Sequence, residues 1–162
     1  MATRNGQSIR FAEDDVRPMG RTARGVKGME LEKGDEIVAM EILPADDLTA
    51  DVTLLSVTSL GYGKRTPLAE YRRQGRGGSG IINLKVTDKV GHLVDVKKVK
   101  MSDDLIVISN GGQLIRTPAG PISEIGRNTQ GVRVISLNEN ETVQAIAIIR
   151  EVEVQGESEA VH

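Results

Sequence analysis

Three stretches of the chain follow one pattern without gaps: an Arg, a Gly-Arg pair beginning 10 residues later, and another Gly 5 residues beyond that. The positions are Arg10, Gly20-Arg21 and Gly25; Arg65, Gly75-Arg76 and Gly80; and Arg116, Gly126-Arg127 and Gly131. Successive units are offset by 55 and then 51 residues, at or just above the period of propeller blades and well above that of leucine-rich repeats. A chain of 162 residues built this way is an array of about three similar units, none of which buries its apolar face alone.

Each unit has the same texture. A Gly-led turn (Asn5-Gly6, Leu60-Gly61, Asn110-Gly111-Gly112) precedes a short basic strand, and a Gly-rich loop follows it. β-branched strands close the unit. In the second they contain Ile82, Leu84 and Val86, with Asn83 and Lys85 on the other face, and then Val94 and Val96. In the third, Val143, Ala145, Ala147 and Ile149 alternate. Period-2 alternation bounded by Gly, Asn and Asp predicts strands and tight turns, and nothing predicts a long amphipathic helix. The expected fold is all-β, an array of roughly four-stranded blades.

Boundaries follow from the repeat. Residues 1–50 form a blade whose first strand is missing, because an apolar strand such as Val52 to Val57 or Leu105 to Ile108 has no counterpart before Arg10. Residues 51–100 form a basic blade and 101–150 the final one. Residues 151–162, with Glu151, Glu153, Glu157 and Glu159, are an acidic tail. Three blades leave sheet edges open unless further repeats or a partner cover them.

Composition removes several classes of function. With no Cys, a disulfide framework and a thiolate metal site are excluded, and with only His92 and His162 a multi-histidine site is too. One Phe, two Tyr and no Trp mean that the core is Val, Ile and Leu. The N-terminus is polar rather than signal-like, and the longest apolar run, at 145–149, is far short of a membrane span. The expectation is a soluble cytoplasmic chain.

A net charge of -2 argues against a nucleic-acid partner until it is mapped along the chain. Residues 1–60 carry 7 basic and 11 acidic side chains, 61–100 carry 10 and 3, and 101–162 carry 4 and 9. The middle unit is therefore strongly basic. Lys64, Arg65, Arg72, Arg73 and Arg76 crowd its strand and loop, a density suited to gripping phosphates. The glycines of Gln74-Gly75-Arg76-Gly77-Gly78-Ser79-Gly80 allow close backbone approach and could offer amides to an anion. A solvated turn on a basic surface is the plainer reading.

Other motifs carry no chemistry. Residues 75–80 satisfy G-x-G-x-x-G, but a β-branched strand follows where a dinucleotide site needs a helix. The recurring Gly-x4-Gly lacks the Lys-Ser/Thr of a phosphate-binding loop. Asp14-Asp15, Asp46-Asp47 and Asp103-Asp104 sit in turn contexts, where Asp is ordinary. His92 reads as an exposed turn residue, and Tyr71 as cover for a blade edge rather than a base-stacking platform. No nucleophile is paired with a base at a recognisable spacing, so catalysis within the chain is not expected.

Gly61-Tyr62-Gly63-Lys64-Arg65-Thr66, Glu70-Tyr71-Arg72-Arg73-Gln74 and Gly77-Gly78 closely resemble the C-terminal domain of the DNA gyrase A subunit. Gly126-Arg127-Asn128-Thr129-Gln130-Gly131-Val132 is similar to that family's last blade, and Val16-Arg17-Pro18-Met19-Gly20-Arg21 with Gly25-Val26-Lys27-Gly28 to the blade two earlier. The resemblance implies a β-pinwheel, a six-bladed propeller-like fold whose blades exchange strands and whose basic rim bends DNA. This chain would be its C-terminal half. The family's hallmark box, Gln-Arg-Arg-Gly-Gly-Lys-Gly, belongs to the first blade; the matching loop here, at 74–80, is a degenerate copy with Gly75 and Ser79 at two basic positions.

By this resemblance Lys64, Arg65, Arg72, Arg73, Gln74, Arg76, Gly77 and Gly78 would bind double-stranded DNA without reading its sequence. Arg10, Arg21, Arg24, Lys27, Arg116 and Arg127 would contribute in the flanking blades. The implied partners are the gyrase B subunit and the remainder of the gyrase A subunit, in the bacterial cytoplasm at the nucleoid, with no membrane. No cofactor is expected in this chain, since the ATP and Mg2+ sites and the DNA-cleaving tyrosine of the parent topoisomerase lie outside it. Two alternatives stand beside this reading: the topoisomerase IV A subunit, and a protein-interaction propeller that does not bind DNA.

Overall fold

The computed structural model describes residues 1–44 and 51–150. The expected tail at 151–162 and the pair Asp46-Asp47 lie outside the described residues. Within them the regular elements are strands and two short 3-10 turns, Glu13–Asp15 and Leu68–Glu70.

The strands form three antiparallel sheets. The first contains β1 (Ala2–Thr3), β2 (Gln7–Ser8), β3 (Ile37–Ala39) and, from much further along the chain, β6 (Ile81–Ile82), in the order β3-β1-β2-β6. The second contains β4 (Val52–Thr58), β5 (Tyr62–Pro67), β7 (Leu93–Lys100) and β10 (Val132–Arg133), in the order β10-β5-β4-β7. The third, β8 (Asp104–Ser109), β9 (Leu114–Pro118) and β11 (Val143–Ile149), has the order β11-β8-β9. The first two sheets thus each take their outermost strand from the next repeat. The sheets therefore cut across the boundaries read from the sequence at 50/51 and 100/101. The opening strand expected to be missing from the first unit is present as the two-residue stub β1.

The repeat is visible in the turns. Gly6, Gly61 and Gly112 have φ of +89°, +83° and +82°, a left-handed conformation that only glycine adopts without strain. Their amides donate to the carbonyls of Thr3, Thr58 and Ser109 at 3.0, 3.1 and 3.1 Å. The hydroxyls of those same residues accept the amides of Gln7, Tyr62 and Gln113 at 3.1, 3.2 and 3.2 Å. A hydroxyl residue followed three positions later by Gly is thus sufficient to close each hairpin.

The middle sheet is covered on both faces, which is why β4 is buried along its whole length. Successive side chains of a strand point to opposite faces. Val52 and Leu54 join Ala2, Ala39, Leu68, Tyr71, Leu93 and Val96 against the first unit. Leu55 and Val57 join Leu105, Val107, Ile122, Ile135, Val143 and Ile146 against the third. β7 packs on both β3 and β11, so these three strands define one side of the array and the exchanged strands β6 and β10 the other.

Two alternations read from the sequence differ in the structure. A bulge between Val143 and Ala145 shifts the phase of β11, so Val143 and Ile146 face the core while Ala145, Ala147 and Ile149 are exposed. After β6 the chain turns out of the sheet, leaving Ile82 exposed and burying both Asn83 and Leu84. Asn83 is satisfied: its Oδ1 accepts the Tyr71 hydroxyl at 2.5 Å and its Nδ2 donates to Ser56 Oγ at 3.1 Å. Tyr71 is thus an interior residue, and burial raises its hydroxyl pKa to about 12.

Candidate nucleic-acid interface

The Gly-rich loops at 72–80 and 126–131 lead into β6 and β10, the strands farthest from β7, and therefore lie on the outer side of the array. Gly80 and Gly131 have φ of +78° and +79°, and a Cβ on them would sit 2.1 Å from the Ser8 carbonyl oxygen and 2.6 Å from that of Gly63. No side chain fits there, so each loop lies flush on the strand of the preceding unit. Part of its backbone is committed to that junction. Gln74 donates its amide to Arg10 and Gly77 to Gly28, both at 2.9 Å, while Glu30 donates to Gly78 at 2.9 Å. The Gly77 amide is consequently engaged within the protein, contrary to the anion-donor role open to it from sequence.

The cations expected on the interface divide into two groups. Arg72 and Arg73 are exposed, and their side chains make no hydrogen bond or ion pair among the described residues. Arg21 and Arg24 are likewise exposed on the first unit, as is Lys27, which pairs with the solvated Glu30. Arg73 bridges to Arg10 and Gly77 lies against the Lys27 backbone, which brings the first and middle loops side by side. Arg116 is exposed on the third unit, with its Nε 2.7 Å from Asp104.

The others point inward. Lys64 is fully buried; its Nζ donates to the carbonyls of Gly126, Arg127 and Thr129 and, at 3.1 Å, to Thr129 Oγ1. Burial lowers its pKa to about 8, with Glu70 opposing and Arg127 adding to the shift. Arg65, also buried, donates to the carbonyls of Ile122 at 2.8 Å and Gly120 at 3.0 Å and approaches Glu124 at 3.4 Å. Both correct the sequence reading. Because the next repeat lays its loop across β5, side chains on either face of that strand are enclosed, and these two cations tie units together rather than face a ligand.

Arg10, Arg76 and Arg127 are half-buried staples of the same kind. Arg10 donates to the carbonyls of Leu68 and Tyr71, Arg76 to those of Asp15 and Lys27, and Arg127 to that of Ile82. The structure also shows cations that the repeat pattern did not single out. Arg17 and Lys85 are exposed on the same units. The ring of Tyr62 lies 5.3 Å from the Arg133 guanidinium and 5.7 Å from the Lys89 ammonium. Only the excess of basic residues at 61–100 hinted at the Lys89 contact.

A strand-exchanged blade array with a cationic, glycine-lined outer loop defines a class: a propeller-type module that presents charge on its periphery. The sequence profile of the DNA gyrase C-terminal domain, a beta-propeller, matches residues 1–44, 53–100 and 103–150, and the chain belongs to that family. It is 44% identical over 146 residues to the DNA gyrase A subunit of Haloquadratum walsbyi, covering 90% of this chain and 17% of that protein. Against the DNA gyrase A subunit of Deinococcus deserti the identity is 43% over 152 residues, covering 93% and 18%. The chain thus spans under a fifth of the length of these curated relatives. A solved gyrase A C-terminal domain superimposes with a TM-score of 0.79 at 28% identity, covering 92% of this chain and 49% of that one. The C-terminal domain of a DNA topoisomerase IV superimposes with a TM-score of 0.82 at 26% identity, covering 91% and 45%. Among the described residues no helix is long and apolar enough to cross a membrane.

Proposed function

We propose that this chain binds duplex DNA along its outer loops without sequence preference, as part of the DNA-wrapping surface of a gyrase A subunit. The observation that carries the reading is the pair Arg72 and Arg73, exposed and without a side-chain partner among the described residues, on the rim of the unit with a large basic excess. Arg21, Arg24 and Lys27 extend the track onto the first unit. Phosphate contacts of this kind position DNA and read no bases. Bending a duplex costs on the order of 1–6 kcal/mol per 20–30 base pairs, so several such contacts must act together. In the parent enzyme, with the rest of gyrase A and with gyrase B, the wrap would present a second duplex segment for ATP-dependent strand passage. On this reading the protein would act in the bacterial cytoplasm, at the nucleoid.

A salt titration of binding to a mixed-sequence duplex, followed by anisotropy, tests the proposal. Five exposed cations (Arg21, Arg24, Lys27, Arg72 and Arg73) give a log-log slope of about -4.5, and changing Arg72 and Arg73 to Ala flattens it by about two. A salt-independent affinity, or binding unaltered by the double substitution, overturns it.

A further inference from the structure

The chain contains two Asn-Gly steps, Asn5-Gly6 between β1 and β2 and Asn110-Gly111 between β8 and β9, in corresponding hairpin turns of the repeat. Asn before Gly is the pair whose backbone nitrogen approaches the side-chain amide with least hindrance, because glycine has no Cβ in the way. The two steps sit differently in their turns. In the first unit the residue after Asn is itself the left-handed glycine that closes the turn. In the third that place belongs to Gly112, one residue further on.

This difference decides which amide is free to react. Gly6 is buried, its amide donates to the Thr3 carbonyl at 3.0 Å, and its own carbonyl accepts the amides of Asn83 and Leu84 at 2.8 and 3.1 Å. Gly111 is exposed, and its amide makes no hydrogen bond among the described residues. The amide of Thr142 donates to Asn110 Oδ1 at 3.0 Å, the oxygen on which negative charge develops when Cγ is attacked.

We propose that Asn110 is a site of self-modification, losing its side-chain amide through a succinimide while Asn5 keeps its own. The Gly111 nitrogen, its proton lost to solvent, attacks Asn110 Cγ. The new C–N bond closes the succinimide ring, and the bond from Cγ to the side-chain nitrogen breaks to release ammonia. Water then opens the ring at either carbonyl, giving aspartate or isoaspartate with no change of oxidation state. Either product adds a negative charge to the third unit. Isoaspartate also routes the main chain through the former side-chain methylene, and the turn has no slack to absorb it. Its ends are pinned, since Ser109 donates its amide to the Gln113 carbonyl at 2.9 Å and its hydroxyl accepts the Gln113 amide at 3.2 Å. The bonds released are those from Gly112 to the Ser109 carbonyl and from Thr142 to Asn110.

Peptide mapping of the 162-residue chain, held in mildly alkaline buffer at physiological temperature, tests this. Asn110 is expected to convert at least about tenfold faster than Asn5, because reaction at Asn5 waits on the opening of a buried, hydrogen-bonded turn. In urea, with both turns open, the two steps convert at comparable rates. Aged protein enriched in isoaspartate shows faster amide exchange at Gly112 and Thr142, whereas Asn110→Asp, which adds the charge without lengthening the chain, does not. An Asn110 that stays unmodified, an Asn5 that converts as fast in the folded chain, a rate gap that persists in urea, or aged protein whose exchange matches that of Asn110→Asp overturns the proposal.

Discussion

Replacing Lys64 with Met keeps the length and apolar volume of the side chain and removes only its ammonium. In the native protein that group holds the loop at 126–129 to β5 through three carbonyls and the Thr129 hydroxyl. The hydroxyl keeps a partner, because Thr129 Oγ1 also donates to the Gly126 carbonyl at 2.8 Å. The Arg127 and Thr129 carbonyls keep the amides of Thr129 and Lys85, both at 2.9 Å, so no acceptor is orphaned, and what is lost is the ammonium's charge-assisted hydrogen bonding, worth about 1.5–3 kcal/mol. The substitution also relieves the burial of a charge, which offsets part of that cost. The net expectation is a loss of about 1–2 kcal/mol, read from the urea midpoint, with faster amide exchange concentrated in the loop at 126–129.

The pH dependence supplies an independent sign. Unfolded, Lys64 holds its proton up to about pH 10.4, whereas folded it releases it near about 8. Between these values the unfolded chain binds more protons, so stability rises with pH from about 8 to 10. Lys64→Met removes that rise. It leaves the salt slope of DNA binding unchanged, because Lys64 touches no solvent. An unaltered urea midpoint together with a slope reduced by about one refutes the reasoning and returns Lys64 to the phosphate ligands.

Other expectations follow from the same contacts. Gly80→Ala drives a Cβ into the Ser8 carbonyl and prevents folding or costs more than about 3 kcal/mol, whereas Gly75→Ala, with nothing within 4 Å and no positive φ, stays within about 0.5 kcal/mol by thermal melting. Tyr71→Phe leaves Asn83 short of a donor and costs about 1–2 kcal/mol in urea. Because the native hydroxyl keeps its proton to about 12 rather than 10, wild-type stability falls between those pH values, and the Phe variant lacks that fall.

Much of the architecture was legible in the residues alone. The glycines at 6, 61 and 112 and at 25, 80 and 131 mark left-handed backbone, a local requirement that only one residue type meets cheaply, so their spacing carried the repeat directly. The bulge in β11 and the burial of Asn83 left no such mark. Both depend on which neighbouring surface a strand meets, and a phase shift of one residue costs nothing in composition.

The candidate site divides along the same line. Sequence alone determined that positive charge gathers at 61–100 and that a glycine-rich loop carries it, because charge and backbone freedom belong to residues. Which cations face outward was decided by tertiary structure. Arg72 and Arg73 stay in solvent on the loop, while Lys64 and Arg65, a few residues earlier, are enclosed when the next repeat crosses over β5 and offers its carbonyls. A Lys or Arg side chain is long enough to serve either a phosphate or a carbonyl cage, and only the segment exchanged from the next repeat determines which one it meets.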